Sequence, residues 1–305
     1  MKLLAGALVS LLSITVFPQA ADTSASVSQQ LEIRHDNDFF AQTDRYYTSG
    51  LFLTYRKKLA KGVFGTKEQI ALGLGQEVFT PSQTQSTNPA LFDRPYVGFT
   101  GIHGRWNLAE TSRFYELGAL IGLAGVNSGA GGFQRWYHRA LSIAGSPIWT
   151  AELDNRLHLN FYGRYIKEWW LHPNPFGIVL GISPKLALGT RDVFAETGVY
   201  LHLGRRNSID ESMAAKRLGG MGKELYITLQ AAYRQVGYNG LIEGHLLGDD
   251  STVIRDIENG LLIMGVDLKH RNNRHDYSLG VRYNSAETPQ AKGHTYIIVA
   301  YALGW

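Results

Sequence analysis

The last twelve residues, His294-Thr295-Tyr296-Ile297-Ile298-Val299-Ala300-Tyr301-Ala302-Leu303-Gly304-Trp305, decide the fold. From Ile297 onward every second residue is apolar: Ile297, Val299, Tyr301, Leu303 and Trp305. The alternate residues are His294, Tyr296, Ile298, Ala300, Ala302 and Gly304, mostly smaller side chains. A strand has a side-chain period of two, so one face of this segment is apolar along its whole length. That face ends on an aromatic residue with nothing after it. Transmembrane barrels have this pattern, with lipid-facing residues alternating with lumen-facing ones and aromatics at the interface.

The other end of the chain agrees. Lys2 is followed by an apolar run from Leu3 to Phe17 and then Pro18-Gln19-Ala20-Ala21, the plan of a secretory signal peptide. Residues 1–21 are expected to be removed, with the cut between 20 and 25. The run is too short and too interrupted to span a bilayer as a helix, and no other segment approaches that length. Any membrane crossing must therefore use strands.

Cysteine is absent, so disulfides and thiol chemistry play no part. Charged residues make up only 18% of the chain, Gly numbers 34 and Tyr 16. The net charge of +4 is scattered, with no basic stripe interleaved with aromatics, which argues against a nucleic-acid partner.

Alternating segments recur along the chain. In 155–167, Leu157, Leu159, Phe161 and Tyr165 oppose Arg156, His158, Asn160 and Arg164. In 224–234, Leu225, Ile227, Leu229, Ala231 and Tyr233 oppose Glu224, Thr228, Gln230 and Arg234. Segments 193–204 and 275–284 repeat the design. Charges on an inward face would be costly in a dry core but are expected in a polar lumen. Twelve such segments are predicted, near 29–36, 47–58, 68–78, 97–107, 113–125, 155–167, 175–189, 193–204, 223–234, 257–270, 275–285 and 294–305. No linker divides them, so residues 22–305 are expected to form one all-β, antiparallel transmembrane barrel. An even count puts both termini in the periplasm. The connections near 37–46, 79–96, 126–152, 190–192, 235–256 and 286–293 then face outward. The connection 205–222 is unusually long for a periplasmic turn.

Three polar clusters fall on the outer side. The first is Asp36-Asn37-Asp38-Phe39-Phe40 with Thr43-Asp44-Arg45-Tyr46-Tyr47-Thr48-Ser49-Gly50. Its Asn and Asp are either turn formers or hard oxygen ligands for a cation such as calcium. The second is Phe92-Asp93-Arg94-Pro95-Tyr96-Val97-Gly98-Phe99, whose Arg94 either braces an ion pair or faces a phosphate. The third is Gly131-Gly132-Phe133-Gln134-Arg135-Trp136-Tyr137-His138-Arg139-Ala140, followed by Pro147-Ile148-Trp149. It reads as a short helix in a long outer loop, with Gln134 and His138 on one face. A histidine is the usual general base near neutral pH, though a loop histidine can equally be structural.

In this order the motifs resemble the LpxR-type lipid A 3-O-deacylase family of Gram-negative outer membranes. The matching residues are Asn37-Asp38 with Asp44 to Gly50, Asp93-Arg94-Pro95-Tyr96, Gln134 with His138-Arg139, then Pro147 and Trp149. The resemblance covers roughly residues 30–155 by motif and the remainder by strand pattern. It implies a twelve-stranded barrel in the outer membrane and a calcium-dependent esterase site at the outer rim beneath a loop helix. It also implies action on lipopolysaccharide, removing the ester-linked 3′ acyl group of lipid A. By position, His138 is then the base that activates water, Thr48 lines the catalytic site, and Asn37 and Asp38 hold Ca²⁺. Tyr96, Gln134 and Trp149 would contact substrate. Arg94 would meet a glucosamine phosphate, a role read from its charge and not from the family. The chain is expected to act as a monomer.

Two positions depart from the family pattern. Ala144 stands where the family has a Glu six residues after the His, and the next acid is Glu152. Residues 80–92 contain no Lys or Arg where the family has a Lys. Besides the esterase reading, the sequence admits a family barrel that binds lipid without hydrolysing it, and a simple pore. A phospholipase with a Ser-His pair lacks a strong serine, because Ser142, four residues after His138, would point along one helix face rather than across a cleft.

Overall fold

In a computed structural model, which describes residues 26–38, 45–65, 67–140 and 145–305, the chain forms a closed antiparallel barrel. Residues 1–21, expected to be a signal peptide, and Asp44, Ser142 and Ala144, lie outside the described residues. The strands are β1 (Gln29–Asn37), β2 (Tyr46–Lys58), β3 (Glu68–Thr80), β4 (Val97–Glu110), β5 (Arg113–Ala124) and β6 (Arg156–His172). They continue as β7 (Gly177–Gly189), β8 (Asp192–Arg205), β9 (Glu224–Asn239), β10 (Gly260–Asn272), β11 (His275–Asn284) and β12 (His294–Gly304). Each strand pairs with its sequence neighbours, and β1 closes on β12 from Gln30↔Gly304 to Asn37↔Ile297. All twelve predicted segments are strands. Among the described residues, no helix is long and apolar enough to cross a membrane.

The alternation sorts side chains as the sequence implied. Leu31, Ile33, Leu53, Leu72, Leu74, Ile102, Leu159 and Leu279 are exposed on the outer wall, whereas Glu32, Thr54, Asn160 and Asp276 are buried inside. In a soluble protein that arrangement would be inverted; lipid as the outer solvent makes it favourable. Trp305 closes the seam. Its backbone carbonyl accepts from the amides of Ser28 (2.9 Å) and Gln29 (3.0 Å), and its amide donates to Gln29 (2.9 Å).

The long connection between β8 and β9 is the chief surprise. It turns inward and packs across the periplasmic mouth. Arg206 makes two bonds to Glu168 of β6 (2.8 and 2.6 Å), and Glu224 accepts from Asn207 N, Ser212 Oγ and Met213 N (3.1 Å each). Arg217 reaches Asn107 of β4, Lys216 pairs with Glu32 of β1, and Leu218 N donates to Gln69 of β3 (2.7 Å). Ile209 and Ala215 pack on Ala109, Phe114 and Ile166. A turn of this length exists because it is an internal plug. Above it lies a lumen cavity of about 570 Å³ lined by Arg34, Phe52, Arg105, Arg164, Lys185 and Arg234, among others.

Candidate functional site

The outer end of β1 carries the first cluster. Strand alternation turns Asp36 into the lumen, where it lines the cavity, and leaves His35 and Asn37 on the same outer face as Leu31 and Ile33. Asp38 follows immediately and is buried. One of its carboxylate oxygens accepts from Thr48 Oγ1 (2.9 Å) and the other from Arg45 N (3.1 Å), while its own amide donates to Thr48 O (3.3 Å). The β2–β3 register slips between Tyr47 and Ser49, so Thr48 is the extra residue of a bulge. A bulge re-aims one side chain, and here it turns Thr48 toward Asp38. Tyr46, two residues before it, has φ 63°, a strained value for a non-glycine residue. It is held there by bonds from its hydroxyl to Asp93 (2.9 Å) and from Lys292 N to that hydroxyl (2.9 Å).

The third cluster is a helix, α1 (Ala130–Ala140), and it lies on the outside of the barrel wall. Gln76 and Thr100 continue the outward faces of β3 and β4 above Leu74 and Ile102. Both reach the turn that starts the helix: Gln76 Nε2 and Thr100 Oγ1 donate to Ser128 O (3.1 and 2.8 Å). Ala130 packs against Gly98, where a side chain would collide with it. Ala130, Gln134 and His138 form the buried stripe of the helix, so Gln134 and His138 share a face as their i, i+4 spacing implied and Ala130 extends it by one turn. Trp149 from the following loop donates to Gln134 Oε1 (2.7 Å) and lies over Gly131, where a Cβ would fall 2.8 Å from the indole. At the far end, Tyr137 meets His35 of β1 edge to face, with ring centroids 6.0 Å apart. That contact brings the turn bearing His138 to the outer face of β1, two residues from Asn37.

The predicted site residues therefore fall into distinct groups. Asn37, Asp38 and Thr48 form the rim of the β1–β2 hairpin. Gln134, Trp149 and Tyr96 form a second group, with the Tyr96 ring tilted against Trp149 (centroids 5.2 Å) and its hydroxyl donating to Thr84 O (3.0 Å). Tyr96 has no exposed surface, so it props Trp149 from behind. Arg94 stands apart. It is 2% exposed, lines the lumen, bonds Glu287 (2.8 Å) and lies over Phe79. This is the bracing role, with Glu287 in place of the adjacent Asp93, and it turns the guanidinium away from the outer leaflet. Glu152 accepts from Gly98 N (3.3 Å), at the Ala130 end of the helix. Eight residues at 1.5 Å each separate Ala130 from His138, about 12 Å, so Glu152 lies toward the opposite end of the helix from His138. Burial raises its pKa to about 7 despite the Gly98 bond and Arg135 nearby.

Hard oxygen donors for calcium are present in Asn37, Asp38 and Thr48. Each carboxylate oxygen of Asp38 accepts a hydrogen bond, one from Thr48 Oγ1 and the other from Arg45 N. Among the described residues, no group of three or more His, Cys, Asp or Glu side chains is arranged to hold a metal. The donor set thus fits calcium by type, with a single carboxylate and neutral oxygens. His35, Gln76 and Thr100 escaped the sequence reading. Their signal was there: each is polar on a face otherwise apolar, near the outer end of its strand.

Fold and rim together define a class: a twelve-stranded outer-membrane barrel with an interfacial loop helix on its wall. A family model described as "Outer membrane protein LpxR" matches residues 4–302. The chain belongs to this LpxR family. Among solved structures, LpxR from Salmonella typhimurium superposes with a TM-score of 0.77 at 20% identity, covering 90% of this chain and 100% of that one. The beta domain of the Bordetella autotransporter BrkA follows at 0.48 and 8% identity, covering 92% of this chain and 100% of its own. The KdgM porin gives 0.43 and 7%, covering 90% and 99%. No curated protein sequence matches the chain.

Proposed function

We propose that this barrel is an outer-membrane esterase that removes the 3′ ester-linked acyl group of lipid A in the outer leaflet. The observation that carries the reading is the Tyr137–His35 contact, which draws the His138 turn of an outer-wall helix onto the β1 face that bears Asn37. A lipid can reach this part of the outer wall sideways from the bilayer without entering the lumen. His138 takes the proton from the attacking water, and later returns one to the leaving alkoxide. Asp38 and Thr48 hold the rim in shape, with Asn37 beside them. Gln134, fixed by Trp149, and Trp149 itself contact the substrate. Asn37 and Asp38 would hold Ca²⁺, which when bound polarises the ester carbonyl and stabilises the developing oxyanion. Arg94 is omitted from the substrate set because it is buried against Glu287.

A second reading is favoured by the sparse acid set: a family barrel that binds lipid A without hydrolysing it. Mass spectrometry of lipid A from cells with and without the protein, with calcium supplied, separates the two. Loss of one 3′ acyl group supports the esterase. Unchanged lipid A with the folded barrel present supports the binding protein.

A further inference from the structure

Three edges of α1 have different chemistry. Ala130, Gln134 and His138 face the wall. Phe133, Trp136 and Tyr137 form an aromatic edge, with ring centroids 5.7 Å apart for Phe133–Trp136 and 6.2 Å for Phe133–Tyr137. Trp136 is 56% exposed. The remaining edge carries Arg135 and Arg139, both exposed and one turn apart. The helix rests on Gln76, Thr100 and Gly98, directly above the exposed Leu74 and Ile102 of the apolar wall. It therefore lies at the height where acyl chains give way to headgroups. A helix with an aromatic edge toward the chains and a basic edge toward the headgroups suits that interface.

We infer that Arg135 and Arg139 form a phosphate clamp for a phosphorylated glycolipid of the outer leaflet, with Trp136 packed among its acyl chains. Residues four apart on a helix set their side chains about 5–6 Å apart, close enough for two guanidiniums to grip one phosphate group. Guanidinium matches phosphate bidentately, which a point charge does not. Glu152 lies near Arg135 and limits that residue's positive field without covering it. The clamp sits on the same helix as His138, so gripping the headgroup would also set which acyl chain meets His138. The choice of ligand rests on the lipid A reading above.

The test measures binding of the purified, detergent-folded full chain to bisphosphorylated lipid A and to the same lipid A stripped of phosphate. EDTA is present so that binding is read apart from hydrolysis. The native chain is expected to prefer the phosphorylated form by about tenfold or more, in line with charge-assisted bonds. The double variant Arg135→Gln/Arg139→Gln should bind both forms alike, and Arg135→Lys/Arg139→Lys should keep part of the preference. Trp136→Ala should weaken both forms equally. Folding of each variant is checked by heat-modifiable gel mobility. The clamp is wrong if the Gln variant keeps the preference, if the native chain shows none, or if phosphatidylglycerol binds as tightly as phosphorylated lipid A. Phosphate-dependent binding without deacylation in calcium would sink the esterase reading and leave the clamp standing. Deacylation without a phosphate preference would do the reverse.

Discussion

At the scale of single residues, His138 and Glu152 are two ionisable groups on one outer wall with different expected roles. His138→Ala should reduce deacylation by the order of 10²–10⁴-fold, typical of removing a general base, with barrel assembly unchanged. Lipid A mass spectra and heat-modifiable mobility read the two effects separately, and full activity in the variant would remove His138 from the mechanism. Glu152 has a pKa raised to about 7 from 4.5 by burial. A raised folded-state value means the protonated form is the one the fold favours. Its stabilising contribution is therefore complete below pH 4.5 and fades as pH rises through 7. Hydrogen exchange in the 145–155 loop should accelerate across that window. In Glu152→Gln the rate should follow only the ordinary base catalysis of exchange; an unchanged profile would contradict the burial argument.

At the scale of elements, the β1–β2 hairpin and α1 meet through the Tyr137–His35 contact. On the proposed reading, the hairpin would contribute oxygens on a braced rim and the helix the imidazole. If Asn37 and Asp38 hold calcium, EDTA should stop the reaction and Ca²⁺ should restore it. Mg²⁺ should substitute poorly because it demands a tighter octahedral shell. With one carboxylate in the described donor set, saturation should require high calcium, and Ala144→Glu should lower the calcium needed. Activity that persists in EDTA would show that no such metal takes part. Much of this was legible beforehand: the helix, the Gln134–His138 stripe and the polar hairpin all follow from residue type and spacing. That the helix lies outside the wall was not legible. It depends on Gly98 offering no side chain beneath Ala130, and on Gln76 of β3 and Thr100 of β4 meeting one carbonyl of the turn before the helix, contacts no local pattern encodes.

At the scale of the whole molecule, a closed barrel should show heat-modifiable gel mobility and fractionate with the outer membrane, because a ring of paired strands has no edge from which to unravel. Deleting Trp305 should impair assembly, since its backbone groups tie β12 to the start of β1. The plug bears on the pore reading. With 206–223 packed across the periplasmic mouth, the native protein should show no steady conductance in planar bilayers. Arg206→Ala leaves Glu168 buried without its bidentate partner. Breaking such a pair is strongly destabilising, by roughly 3–5 kcal/mol in general. The variant should lose its heat-modifiable form at a lower temperature and show intermittent channel openings. A native chain that conducts steadily would restore the pore.

Sequence alone determined the barrel, its twelve strands and which face of each meets lipid, because a period of two with an apolar outer face is a local property that any stretch of eight residues displays. It also determined the family, since the rim motifs stand in order along the chain. Tertiary structure decided what no local pattern encodes. The connection after β8 became a plug because Glu168, Asn107, Glu32 and Gln69, from four separate strands, converge on it. Arg94 became a brace because Glu287, nearly two hundred residues away, stands beside it. Both outcomes turn on charges that need a buried partner, and which partner stands opposite is set only when the sheet closes.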